Sequence, residues 1–155
     1  SNLFLGDGEF KYWEAKEQSR PVRVGMGTDV GGGTSLSILR QIGEAYKVAM
    51  MHGRSLDIMK SLYMATRGGA EALHLEHTIG SIASGYEADL TVLDLKPDRF
   101  AAWRLNFAES ITEKLFVLSA IAPGFTVKAT YVAGRKVYDR ERKRPLMYAS
   151  DPDIS

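Results

Sequence analysis

Apolar residues fall at helical spacing through the first half of the chain and at strand spacing through much of the second. Glu9 to Gln18 sets Phe10 and Trp13 among charged residues without Gly or Pro, which predicts a short amphipathic helix stopped by Ser19-Arg20-Pro21. Val22-Arg23-Val24-Gly25-Met26 is β-prone, and Gly25 and Gly27 leave room for a neighbouring backbone, the pattern of a parallel strand buried in a sheet or barrel. It runs through Thr28-Asp29-Val30 into Gly31-Gly32-Gly33, after which Thr34, Ser35 and Ser37 offer N-caps for a helix to about Met51. Ile38, Ile42, Ala45 and Ala49 share one face of that helix, and Gly53 stands where a left-handed residue ends it. Ser55 is the expected cap of an apolar helix to about Thr66, and Gly68-Gly69 is expected to separate it from a short helical piece over Ala70–Leu75. Met50, Met51, Met59 and Met64 fall on helical faces and are expected to fill core gaps.

From Ile79 turn residues multiply and strand signals follow. Ala88 to Leu95 predicts a strand stopped by Lys96-Pro97. Phe100–Phe107 mixes aromatic and polar residues without a clear period and reads as irregular. Ser110 caps a predicted helix over Ile111–Ala120, and Val127–Val132 with Lys136–Tyr138 form a hairpin through Ala133-Gly134-Arg135. The tail after Glu141 is expected to lie over the surface. The whole is an α/β pattern.

Composition narrows the chemistry. Of 155 residues, 45% are hydrophobic and 25% charged, which is globular rather than disordered. Lys and Arg total 20 against 19 Asp and Glu, so no overall positive field draws the chain onto nucleic acid or anionic lipid. There is no Cys, which removes disulfides, thiolate nucleophiles and Cys-ligated metals and leaves His and carboxylates as possible ligands. No apolar stretch approaches the roughly 20 residues that span a bilayer, and Ser1-Asn2-Leu3 carries no basic signal-peptide start, so the default expectation is a cytoplasmic location.

The segment richest in chemistry is Val24-Gly25-Met26-Gly27-Thr28-Asp29-Val30-Gly31-Gly32-Gly33-Thr34-Ser35. It sets a carboxylate where a buried strand leaves for a glycine loop, the position from which (β/α)8 barrels aim catalytic side chains into their mouth. Asp29 is therefore the leading candidate, as a ligand of a divalent cation and as acceptor of a proton from water activated there. The alternative is a turn or helix-capping aspartate, and residue types alone do not choose between them. A phosphate loop fits poorly, because neither Gly-x-x-x-x-Gly-Lys-Ser/Thr nor Gly-x-Gly-x-x-Gly with its distal acid is present.

Together, Ser1-Asn2-Leu3-Phe4-Leu5-Gly6, the Asp29 loop and Ile79-Gly80-Ser81-Ile82-Ala83-Ser84-Gly85-Tyr86-Glu87-Ala88-Asp89-Leu90 resemble the guanine deaminases of the amidohydrolase superfamily in order and spacing. The resemblance weakens after about Lys96. It implies the C-terminal part of a metal-dependent (β/α)8 barrel plus part of a flanking small β-sandwich, with residues 1–78 ending the barrel and 79–155 belonging to the sandwich. Asp29 matches the family's zinc ligand and proton shuttle after the eighth strand. The implied activity is hydrolytic deamination of guanine to xanthine and ammonia by a metal-activated water. The family's His-x-His pair, its further metal-binding His residues and its catalytic Glu find no match here and are expected upstream of Ser1. Zinc needs three or more protein ligands, so the chain alone is expected to be inactive. A small purine is the expected partner, with no nucleic acid and no membrane. An unpaired buried-type strand further implies a homo-oligomer or a missing N-terminal segment.

Two readings stay beside this one: another aminohydrolase of the superfamily, acting on adenosine, cytosine or a triazine, and a non-catalytic α/β interaction module. His74 and His77 stand three apart but lack the His-Glu-x-x-His pattern, so a surface or capping role is expected, and His52 before Gly53 suits the negative end of a helix. The mixed-sign stretch Arg135 to Arg144 reads as a solvated hairpin edge rather than a nucleic-acid patch.

Overall fold

The computed structural model describes residues 5–121 and 125–142. The start Ser1 to Phe4 and the tail from Lys143, including Arg144, lie outside the described residues.

Helix α1 spans Tyr12–Glu17, and the chain then turns into the extended stretch 21–28. Helix α2 runs Ile38–Met51. Of the three offered caps Ser37 is the one used, its Oγ accepting from the Arg40 N–H at 3.4 Å. Gly53 ends α2 as expected, with φ +66° and its N–H donating to the Met50 carbonyl at 3.0 Å. Helix α3 is Ile58–Ala65, and its cap is Asp57 rather than Ser55, because the Asp57 carboxylate reaches the N–H groups of Met59 and Lys60. Helix α4, Arg67–Ala72, contains Gly68-Gly69 instead of following them. The glycines serve packing there: a Cβ on Gly68 would stand 2.8 Å from the Tyr63 ring.

Strand β1 is Leu90–Leu93, β2 is Val127–Val132 and β3 is Arg135–Asp139. They form one antiparallel sheet in the order β1-β2-β3. The β2–β3 hairpin turns on Ala133 and Gly134, both at positive φ, a geometry whose twist matches the flanking strands. Its tip is tied back, since Ala133 N–H donates to the Asp89 carboxylate at 2.8 Å and Gly134 N–H to the Ala88 carbonyl at 3.0 Å. Among the described residues this single sheet is all that stands for the expected sandwich.

Phe100–Phe107 is not irregular. Asp98 accepts from the Ala101 N–H at 2.7 Å and starts helix α5, Arg99–Leu105. Helix α6 is Ile111–Ile121, opened by a reciprocal cap in which Glu113 N–H donates to Ser110 Oγ while the Glu113 carboxylate accepts from the Ser110 and Glu109 N–H groups.

The core lies where α2, α3 and α6 meet. Ile42 and Leu118 are fully buried, and Leu93 of β1 packs on the cluster of Leu39, Ile42 and Ile58. Helices α2 and α6 approach so closely at Gly43 that a Cβ there would lie 2.5 Å from the Ser119 carbonyl oxygen. Of the four methionines expected in the core only Met64 is buried; Met50, Met51 and Met59 are exposed at 49%, 76% and 49% because they fall on the outer faces of α2 and α3. Among the described residues no helix is long and apolar enough to cross a membrane.

Candidate functional site

The stretch 21–28 forms no strand, contrary to expectation. A strand needs a ladder partner, and no described strand lies beside it. Other contacts hold it: Val22 N–H donates to the Ala15 carbonyl and Met26 N–H to the Met64 carbonyl, each at 3.0 Å. Its side chains alternate as in any extended chain. Val24 and Met26 pack on Ala49, Leu56 and Met64, while Arg23 and Gly25 face α4. Gly25 makes the expected close approach, with its Cβ position 3.0 Å from Gly69 Cα; Gly27 meets nothing within 4 Å.

Asp29 follows at φ +44°, a left-handed conformation that Asp tolerates better than most residues. Gly31 continues the turn at φ +116°, and Gly33 N–H closes it on the Asp29 carbonyl. A Cβ on Gly33 would run into the Thr28 carbonyl, so this position admits only glycine without a shift of the loop. Ser35 and Ser37 then hand the chain to α2, Ser35 Oγ accepting from the Ser37 N–H at 3.1 Å. The helix is therefore capped without Asp29. Its carboxylate is exposed, with no hydrogen-bond or ion-pair partner among the described residues, and it lines neither of two open cavities of about 400 and 260 Å³.

The histidines stay apart from it. His52 caps the far end of α2, a helix of 14 residues and so roughly 20 Å long, and its Nε2 meets the Glu9 carboxylate at 2.5 Å. His74 turns the chain after α4 at φ +60°, and the His77 side chain is 90% exposed. Among the described residues no three His, Asp or Glu side chains converge as a metal site. On the hairpin edge Arg140 pairs with Asp94, Lys136 with Asp139 and Lys128 with Glu141.

A polar network beneath 21–28 carries no local signal in the sequence. Arg23 Nη1 donates to the Glu71 carbonyl at 3.0 Å and lies 3.6 Å from the Glu76 carboxylate. Tyr63 donates to the Glu71 carboxylate at 2.5 Å, and that bond is the main reason the Glu71 carboxyl is held below its usual range. Arg67 joins Glu71 at 3.1 Å and also donates to the Glu76 carbonyl and Tyr86 hydroxyl. The paired glycines Gly25 and Gly69 were the available hint, but their meeting across 44 positions is a tertiary fact.

The amidohydrolase family profile matches residues 1–137. Guanine deaminase of Escherichia coli (strain K12) is 40% identical over 143 residues, covering 90% of this chain and 31% of that protein. The solved E. coli guanine deaminase structure superposes with a TM-score of 0.83 at 39% identity, covering 90% of this chain and 32% of the other. An adenosine deaminase from Xanthomonas campestris with bound zinc matches at a TM-score of 0.54 and 27% identity over 66% of this chain and 22% of that one. The chain spans about a third of the length of the curated relatives it matches. With its sequence matched from end to near end of the described residues and its helices and sheet superposing on solved relatives, the chain belongs to the amidohydrolase family.

Proposed function

We propose that this chain serves the hydrolytic deamination of guanine to xanthine and ammonia, with Asp29 as a zinc ligand and proton carrier. The observation that carries the reading is the Asp29 carboxylate itself: it leaves a stretch anchored on α3 and α4, turns in a glycine loop and spends its oxygens on no protein group among the described residues. The donor chemistry fits one place in a shared ligand set, since a hard carboxylate suits zinc while one oxygen ligand cannot retain it. The remaining ligands belong, in this reading, to the length of the relatives that the chain does not span. Zinc in the Xanthomonas structure supports the choice of metal. When bound, the metal acidifies water and stabilises developing negative charge. Asp29 would hold the metal and, as an anion, take one proton from the attacking water and pass it to the departing amine nitrogen, while the second water proton ends on a purine ring nitrogen, so that guanine and water become xanthine and ammonia.

In the zinc-loaded holoenzyme Asp29→Ala is expected to lower guanine conversion, followed by xanthine absorbance, by about 10²-fold or more. Undiminished conversion would refute the role. The 155-residue chain alone is expected to turn over no guanine. A second substrate reading rests on the likeness to the adenosine deaminase; a panel of guanine, adenosine and cytosine on the holoenzyme distinguishes them, and faster deamination of adenosine or cytosine than of guanine would favour it.

A further inference from the structure

We propose that Arg23 and Gly25 are positioning residues that fix where Asp29 projects, by holding the stretch 21–28 against α4. The proposal rests on the reading of Asp29 as a metal ligand. Two independent contacts carry it. At Gly25 the two backbones touch: its Cβ position is 3.0 Å from Gly69 Cα and 3.8 Å from the Ala72 side chain, so a side chain there requires the stretch or α4 to give by a few tenths of an ångström. Two residues earlier, Arg23 reaches the same helix by donating to the Glu71 carbonyl at 3.0 Å, and it lies 3.6 Å from the carboxylate of Glu76 beyond the helix end. Within α4, Arg67 pairs with Glu71 and donates to the Glu76 carbonyl, and Tyr63 of α3 donates to the Glu71 carboxylate. Glu76 Oε2 is buried without a hydrogen-bond partner, and Arg23 stands 3.6 Å from the other oxygen of this carboxylate. With the Val22–Ala15 and Met26–Met64 bonds and the packing of Val24 and Met26, these contacts tie the chain from which Asp29 departs to α3 and α4. Ligand placement is sensitive at this scale: residues that orient ligands cost about 10- to 100-fold in metal affinity when removed.

The test uses the zinc-loaded holoenzyme with Gly25→Ala, Arg23→Ala, Arg23→Lys and Asp29→Ala, reading zinc retention against a competing chelator, kcat and KM separately, and thermal midpoint. Gly25→Ala and Arg23→Ala are expected to weaken zinc retention and lower kcat by about 10-fold or more with KM changed less than about twofold, and Arg23→Lys to restore part of both. If Gly25→Ala fails to fold, the arginine pair decides alone. Arg23 variants that lose thermal stability but keep zinc and kcat would overturn the proposal and leave Arg23 a structural residue. Zinc retention and turnover undiminished in Asp29→Ala would place the fault in the ligand reading, and the positioning role would fall with it.

Discussion

Asp29 owes its pose to its neighbours. The left-handed turn at 29 and 31 and the closure by Gly33 leave its carboxylate outward, while Ser35 and Ser37 remove the need for it at the start of α2. Asp89 shows the opposite case, an aspartate with a structural task, accepting from the Ala133 N–H to tie the hairpin tip. Glu113 shows how such tasks register in acid. The N–H groups of Glu109, first, and Ser110 hold its carboxyl below the ordinary glutamate value of 4.5. A carboxyl depressed in the folded state adds stability above its unfolded pKa and loses it as pH falls through the folded one. The fall of the thermal midpoint on acidification below about 4.5 should therefore be shallower in Glu113→Gln than in the parent, with the variant less stable at neutral pH. Identical acid limbs would contradict this.

Among the helices, α2 and α6 make the tightest pairing, and Gly43 makes it possible. Gly43→Ala would gain about 1 kcal/mol of helix propensity, but forcing a methyl to 2.5 Å from the Ser119 carbonyl costs about 1–3 kcal/mol of overpacking. Overpacking outweighs propensity, so the thermal midpoint should fall; an unchanged or raised one would show that α6 yields freely. Elements with local signals were legible in the sequence. Gly53 after α2, Ser110 before α6 and the Ala133-Gly134 turn each specify their conformation within a few residues. Helix α5 was illegible because Phe100 stacks on Trp103, which meets Phe107 just beyond the helix edge-to-face, all at the surface, while Ala101 and Leu105 face inward, so two apolar faces mask the period. Gly68-Gly69 inside α4 misled for another reason, since close packing, of Gly68 on Tyr63 and of Gly69 on the Met64 carbonyl, rather than a turn accounts for them. Asp29 was legible as a candidate from its loop; the Arg23–Glu71–Glu76 network was not, because it joins residues far apart in sequence.

Across the molecule, helices α2, α3 and α6 with one sheet enclose a core, yet the stretch 21–28 lies at its edge with few of its backbone groups paired among the described residues. Val22 is 47% exposed there and Phe10 nearby 56%. Open backbone and apolar side chains of this kind template association. Light scattering on the 155-residue chain should report self-association, and a well-behaved monomer at high concentration would contradict that expectation. The carboxylate at the end of that stretch can be located against its metal by anomalous scattering at the zinc edge, from crystals of the zinc-loaded holoenzyme. A zinc peak is expected about 2.0–2.2 Å from an Asp29 carboxylate oxygen; a zinc peak with Asp29 turned elsewhere would refute its role as a ligand.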